Sequence, residues 1–408
     1  MSRDGGDGKG RGIVGSERRM SRRELLRRAP AFGAAGLSLP AILAACGRTP
    51  EEAGGALTGA TGATGATASP IPTGDIEGTS LKVSTYGGFF EENFRAMYPA
   101  FTEETGVTVE SIAEPTSEVW VVQLEQSVRA GTPPPSDISM LSGVGIQRAI
   151  KGGVLATYGL SDIPTAGDNL AEGYIRTDEA GNVTGVGAVS WYITIVSNTD
   201  RVPESPTTWT TFWDPQWENE LALLRNSANA YLMEITAASF FGGYEILETQ
   251  EGVVEVLTKL QEVKPNVKLW FRDEATAQQA YNTGEVSLGQ FYHDITTYAA
   301  SQGEPLRSVF PDEGAILDSG FWAITKTTEN LAGAVAFVDY FSRPAIQAEL
   351  ARTLGTTPTA RQDTMDLTAE EYEAVGGPGP EAALRPKYEM YDEWEDFIDQ
   401  QWTELILS

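Results

Sequence analysis

The 408-residue sequence contains one cysteine, Cys46, and one histidine, His293. One cysteine excludes an internal disulfide framework and any cysteine-based zinc site. One histidine excludes chemistry that needs two imidazoles. Positive charge is scarce as well: 29 Lys and Arg stand against 57 Asp and Glu, a formal charge of −28. Residues 1–46 hold nine of the basic and four of the acidic residues, leaving 20 against 53 and a charge of −33 on the rest. A body that acidic repels phosphate backbones, which argues against nucleic acid as a partner. The apolar run at residues 31–45 is short and is broken by Gly33, Gly36 and Pro40, unlike a membrane span. The phosphate-binding loop, the H-E-x-x-H pair and the G-x-S-x-G elbow are all missing. A triad would have to use His293 in the run Tyr292-His293-Asp294. No enzyme and no cofactor is therefore expected. A surface hydrolase built on paired carboxylates is the distant alternative, because 53 acids offer too many pairs to dismiss by counting.

Hydrophobic residues make up 41% of the chain and aromatics 9%, enough to bury real cores. The length suggests two lobes plus processing segments. Residues 21–27, Ser-Arg-Arg-Glu-Leu-Leu-Arg, precede the short apolar stretch, which ends in Leu43-Ala44-Ala45-Cys46. A basic segment, an apolar stretch and small residues before a cut site make a signal peptide. The paired Arg22-Arg23 resembles a twin-arginine export signal. Leu-Ala-Ala-Cys resembles the lipobox of bacterial lipoproteins, which implies lipid attachment at Cys46; a buried core cysteine is the plain alternative. Either Met1 or Met20 can serve as the start. Residues 47–79, with repeated Gly-Ala-Thr and then Pro70 and Pro72, lack any hydrophobic period and read as a flexible tether. The body is thus expected on the outer face of the cytoplasmic membrane, held by lipid.

From residue 80 onward strands and helices alternate. Residues 81–86 read as a strand ended by Gly87-Gly88. Phe90, Phe94, Met97 and Phe101 mark an amphipathic helix closed by Gly106. Residues 107–110 and 138–141 read as strands. Val121, Leu124 and Val128 mark one helix, and residues 147–150 the start of another. Val253, Val256, Leu260 and Val263 form a helical stripe. Leu331, Val335, Val338 and Phe341 form a second, ended near Pro344. Residues 391–402 read as a last surface helix with an aromatic face. The pattern is that of an α/β chain.

Five segments in order carry a family likeness. Residues 81–89, followed by Thr102-Glu103-Glu104-Thr105-Gly106-Val107-Thr108-Val109, resemble the opening of type II periplasmic solute-binding proteins. Residues 189–200 resemble their interlobe strand. Thr208-Trp209-Thr210-Thr211-Phe212-Trp213-Asp214-Pro215 resembles their S/T-W-x-x-L/F-W-D-P element. Residues 284–289, then 310–315, are similar to the spermidine/putrescine-binding branch. The resemblance implies a two-lobed type II periplasmic-binding-protein fold, α/β, with a hinge of crossover strands and the ligand held between the lobes. It divides the body into a first lobe of residues 80–194 and 318–355 and a second of 195–317 and 356–408. It implies a monomeric receptor serving an ABC permease and ATPase, with a small solute as ligand, a cationic amine being one option. A neutral organic compound or sugar and ferric ion are the alternatives within that role, and a structural surface adhesin lies outside it.

By the same resemblance, Tyr86, Phe89 and Tyr292 fall where the polyamine binders place aromatics, and Ser142 where they place a ligand-contacting serine. Their interlobe Trp falls at Ser190, with Trp191 its neighbour. Their ammonium-binding carboxylates fall at Ser227, Ala230 and Gly320, where no acid stands, while Asp318 lies nearby. Buried cations need paired charge, so Asp318 is the candidate single anchor, a structural turn acid being the plain alternative, and the resemblance puts Ser227 among the ligand-binding positions. His293 is expected to be a surface or hydrogen-bonded histidine rather than a ligand.

Overall fold

The computed structural model describes residues 76–114 and 117–408. The expected signal peptide, Cys46 and the expected tether up to residue 75 lie outside the described residues. The last residues assigned to the tether belong to the body instead, since Ile76 is buried in the first core and Gly78 N donates to the Gly106 carbonyl at 3.0 Å. Strand β1 (Ser80–Tyr86) leads into helix α1 (Phe89–Thr105), which Gly106 ends in the left-handed conformation, φ 73°. Then follow β2 (Thr108–Glu114), α2 (Ser117–Ala130), β3 (Ile138–Ser142) and α3 (Gly143–Lys151). The last helix starts four residues earlier than expected, because the Ser142 side chain accepts a hydrogen bond from Gly145 N and caps it.

After α4 (Pro164–Asn169) and β4 (Ile175–Thr177) comes a 16-residue strand, β5 (Val183–Asn198). Its near-continuous burial follows from passing through both cores. Next in the chain are β6 (Leu221–Leu224), α5 (Leu232–Phe240), α6 (Gln250–Leu260), β7 (Val267–Phe271), α7 (Glu274–Asn282), β8 (Leu288–Tyr292), α8 (His293–Ser301), β9 (Leu306–Val309) and β10 (Ile316–Ile324). Helices α9 (Leu331–Phe341), α10 (Pro344–Leu354) and α11 (Ala369–Gly376) follow. Pro344 both stops α9 and opens α10, since its missing N–H costs nothing in the first turn. The expected last helix is two, α12 (Tyr388–Glu393) and α13 (Glu395–Trp402). Its aromatic face is not on the surface: Tyr388, Tyr391 and Trp402 are buried.

The strands form one sheet in the order β2-β1-β3-β10-β5-β8-β6-β7, with β4 and β9 alongside β5. β1 runs parallel to β2 and β3, and β6 parallel to β7 and β8. The long β5 and β10 pair antiparallel and carry the sheet from one group to the other. Two hydrophobic cores flank that crossing. One gathers Phe94, Phe101, Trp322, Phe337 and Phe341, and the other Trp209, Phe212, Tyr281, Phe291 and Trp402. Trp209 and Phe212 of the sequence motif thus serve packing. The stretch after Leu354, expected in the second lobe, first stays with the first: Ala360 and Met365 pack there, held by Gln347 Oε1 accepting from Thr359 N at 2.9 Å.

The register determines where the strand ends meet. Ser142, last in β3, stands opposite Gly320, which pairs with Val189 of β5. Tyr292, last in β8, pairs with Ile193 of the same strand. β3 and β8 approach β5 from opposite directions, so the carboxyl ends of the two parallel groups converge within four residues, about 13 Å of strand. Ligands of open α/β sheets bind outside such carboxyl ends.

Candidate ligand-binding site

Aromatic rings come first at this convergence. Tyr86 ends β1 half-buried, with its ring edge-on to Phe90 at 5.6 Å and to Trp191 at 5.8 Å. Trp191 stands directly across from Asp318, so the two side chains share a face. Ser190 points the other way, its hydroxyl bonded to the Tyr174 hydroxyl at 2.8 Å. Strand alternation therefore puts Trp191, and not its neighbour, on the face with Tyr86. Gly320 lies beneath Tyr86: a Cβ added there would sit 3.1 Å from the Tyr86 hydroxyl. Tyr292 ends β8 half-buried at the start of α8. Phe89 opens α1, and its side chain lies outside the described ones.

Acids surround these rings. Asp318 is 5% exposed, and its oxygens accept from Tyr231 at 2.8 Å, Tyr388 at 2.6 Å and the Ser319 N–H at 2.7 Å. Burial raises its pKa, against the pull of those donors and of Arg176. Both carboxylate oxygens are thus occupied by the protein's own tyrosines, so the candidate single cation anchor is already hydrogen-bonded internally. Tyr231 holds its position with a left-handed backbone, φ 51°, uncommon for a bulky residue.

Glu114 pairs in register with Tyr86 and is buried. Ser84 donates to its Oε1 at 2.7 Å, while Oε2 has no hydrogen-bond partner. Burial pushes its pKa up to about 8, with Ser84 and the Met140 backbone opposing. Asp294, in the first turn of α8, also keeps one oxygen without a partner, and burial pushes it up to about 7. Glu274 opens α7 with an exposed side chain; desolvation by the walls around it and then Asp273 raise its pKa. The phenol of Tyr86 is raised first by burial, then by the charges of Glu114, Asp318 and Glu274 together with Tyr292. Tyr292 is raised by burial, then by Glu274, Asp318 and Asp294. Tyr86 on one side and Tyr292 on the other therefore share the field of the same acids.

The structure brings Tyr86, Trp191, Tyr292 and Asp318 together. Ser142 borders them but spends its hydroxyl on the α3 cap. Ser227 is not with them: it donates to Asp399 Oδ1 at 2.5 Å and lines a separate cavity of about 170 Å³ with Val144, Arg148 and Tyr391. Ala230 is wholly buried. His293 is buried too, its two ring nitrogens bonded to Ser308 Oγ and the Ala374 carbonyl, both at 2.8 Å, and burial lowers its pKa. The sequence reading missed Glu114, Glu274, Asp294, Tyr231 and Tyr388. Only Glu274 left a local signal, an acid just after a strand and next to a helix-capping Asp273. Among the described residues no group of three or more His, Cys, Asp and Glu is arranged to hold a metal ion, and no helix is long and apolar enough to cross a membrane.

A two-lobed α/β body, joined by crossing strands with an aromatic and acidic cleft at their carboxyl ends, has the architecture of periplasmic solute-binding proteins. Solved structures bear out the fold. A spermidine/putrescine ABC transporter substrate-binding protein from Streptococcus pneumoniae superposes with a TM-score of 0.68 at 20% identity, over 81% of this chain and 99% of that one. A structure described as the Atu4243-GABA receptor gives 0.67 at 19% identity, over 79% and 96%. The chain belongs to the family described as bacterial extracellular solute-binding protein, whose pattern matches residues 96–374. Among curated relatives, the spermidine/putrescine-binding periplasmic protein of Salmonella typhimurium is 29% identical over 167 residues, 40% of this chain and 47% of that protein. The γ-aminobutyric acid-binding protein of Pseudomonas aeruginosa is 30% identical over 171 residues, 40% and 46%. The match thus spans about half the length of these relatives. One to spermidine/putrescine-binding periplasmic protein 1 of Haemophilus influenzae is longer, 23% over 311 residues, 75% of this chain and 83% of that protein.

Proposed function

We propose that this protein is the solute-binding receptor of an ABC importer, anchored outside the cytoplasmic membrane by lipid on Cys46, and that its ligand is a small cationic amine. The observation that carries the amine is the pairing of aromatic rings with acids, two of which, Glu114 and Asp294, retain an unpartnered oxygen. An ammonium group needs carboxylate partners once buried, and ring faces favour it further. Tyr86, Trp191 and Tyr292 supply the rings, and Glu114, Glu274 and Asp294 the charge; Asp318 shapes the floor. Relatives named for spermidine, putrescine and γ-aminobutyric acid support the same class. In this reading the body bends about β5 and β10, with residues 80–194 and 318–355 as one lobe, extended by the stretch around Ala360 and Met365 that packs on it, and residues 195–317 with the C-terminal helices as the other. Ligand is captured on one lobe, the second swings over it, and the paired form docks on permease and ATPase as a monomer.

The test is a thermal-shift and calorimetry panel of spermidine, putrescine, γ-aminobutyrate, glucose and ferric citrate. A ligand at a hundred times its dissociation constant stabilises the fold by about 2.7 kcal/mol. The proposal expects that stabilisation from an amine, with affinity rising as pH goes from 6 to 8.5, because Asp294 and Glu114 lose their protons near 7 and 8. Stabilisation by glucose or ferric citrate alone would keep the receptor and discard the amine.

A further inference from the structure

The family match stops at residue 374, yet the segment beyond it makes contacts on both sides of the cleft. On the second lobe those contacts are buried. Tyr391 donates to Glu234 Oε2 at 2.7 Å, and the Lys387 N–H to Oε1 at 3.0 Å. Trp402 donates to the Arg225 carbonyl at 3.0 Å, and Ile398, Trp402 and Ile406 join the second core. Toward the first lobe the same segment offers a different kind of contact. Glu395 pairs with Arg148, and Lys151 reaches Asp392 through its carboxylate at 3.3 Å and its carbonyl at 3.0 Å. These pairs are partly open to water: Lys151 is 62% exposed and Glu395 43%. The ring of Tyr388 lies flush on Gly143, where any Cβ would come within 2.2 Å of it, and its hydroxyl ends on Asp318 of the crossing strand β10.

We infer that residues 387–402 form a detachable strap, rooted in the second lobe and latched onto α3 of the first, which sets how far the empty receptor stays shut. Rooting and latching differ in strength by construction. Breaking the root strands the buried Glu234 carboxylate and opens a core, whereas the latch is two partly exposed ion pairs, weak and screened by salt, and the single buried Tyr388 contact. Glycine at 143 lets the tyrosine slide across bare backbone as the latch closes. When the lobes part, the strap leaves with the second lobe, taking the Tyr388 hydroxyl off Asp318 or drawing β10 with it. Tyr388 is thereby both a latch residue and part of the cleft wall. The inference rests on the two-lobed fold and not on the identity of the ligand.

The experiment measures interlobe distance without ligand, by spin or fluorescence labels at Glu103→Cys and Glu255→Cys in the full chain carrying Cys46→Ser. Both label positions are exposed, one on α1 and one on α6. Reversing the latch with Arg148→Glu and Lys151→Glu should raise the ratio of open to shut molecules at least about threefold. Adding Glu395→Arg and Asp392→Lys should return it. Raising salt from 0.05 to 0.5 M should open the unmutated latch in the same direction, with no substitution to disturb folding. An unchanged distance distribution under both reversal and salt overturns the strap, and so does a restored ion pair that leaves the reversed protein open. Because no ligand is added, failure here leaves the amine proposal standing, and failure of every amine to bind leaves the strap standing.

Discussion

Two sets of buried carboxylates around the candidate site are treated differently. On the C-terminal side, Asp318 and Glu234 have both oxygens taken: two tyrosines and a backbone N–H serve one, and Tyr391 and the Lys387 N–H serve the other. On the ligand side, Glu114 and Asp294 each keep an oxygen with no partner. A buried acceptor left unmade costs about 1–3 kcal/mol, more when charged, and the two groups respond by holding their protons to about pH 8 and 7. In the first pair, Glu234 roots the C-terminal segment in the second lobe, and Asp318 joins it to the crossing strand β10. The second, under the proposed function, is where a cation would find carboxylate partners.

The sharpest way to break this contrast is to delete an acid from each set. Asp318→Ala leaves two buried phenols without an acceptor and should lower unfolding free energy by about 3–5 kcal/mol, read from the denaturant midpoint. Glu114→Gln should do the reverse at high pH. The folded residue keeps its proton to about pH 8 while the unfolded one releases it near its ordinary value, so the folded state binds more protons in between. Stability from this group is complete below about pH 4 and is lost as pH rises through 8. The substitution should therefore matter little at pH 4 and stabilise on the order of 3 kcal/mol above pH 8.5, while weakening amine binding at least tenfold. If Glu114→Gln leaves the pH profile of unfolding unchanged, Glu114 does not keep its proton in the folded state and the contrast between the two sets fails. Tyr388→Phe removes one donor from Asp318 and should cost about 1–3 kcal/mol, with the other phenol still in place. Smallest is Ser142→Ala, which loses the α3 cap: about 1 kcal/mol in thermal unfolding, and less than a twofold change in ligand affinity. A larger loss of affinity there would return Ser142 to the ligand contacts.

The fold was legible where local chemistry decides it. Phe94 and Phe101 at helical spacing, Gly106 as a stop and the alternation through residues 81–86 each identify an element without neighbours. Chain order and motif likeness extended this to the architecture. The site was only half legible. Tyr86 and Tyr292 end strands, and strand ends are visible in a sequence. Trp191 against Ser190 depended on which face the strand turns to the cleft, and that is fixed by pairing with Asp318 across β10. Glu114 and Asp294 could not be chosen from a chain this rich in acids, since only burial separates them from solvated ones. Tracking family carboxylates to Ser227, Ala230 and Gly320 found no acids there, and the structure gathers its acids from β2, α7 and α8 instead. Ser227, expected on the ligand, faces Asp399, because the C-terminal helices cover its loop.

The path of the chain through β5 and β10 has a consequence for how the molecule is made. The first core draws Leu81 and Phe94 from one end of the body and Phe337, Phe341 and Leu354 from the other. The second takes Trp209 and Leu221 early and waits for Tyr391, Ile398 and Trp402. Neither half is a continuous piece of sequence, so neither finishes while the ribosome is still supplying the middle of the chain. Contacts so distant in sequence make assembly slow, and for most of synthesis two unfinished apolar surfaces stand open together. Both surfaces are closed only once residues 398–406 have emerged, so the segment that carries the strap also completes the second core.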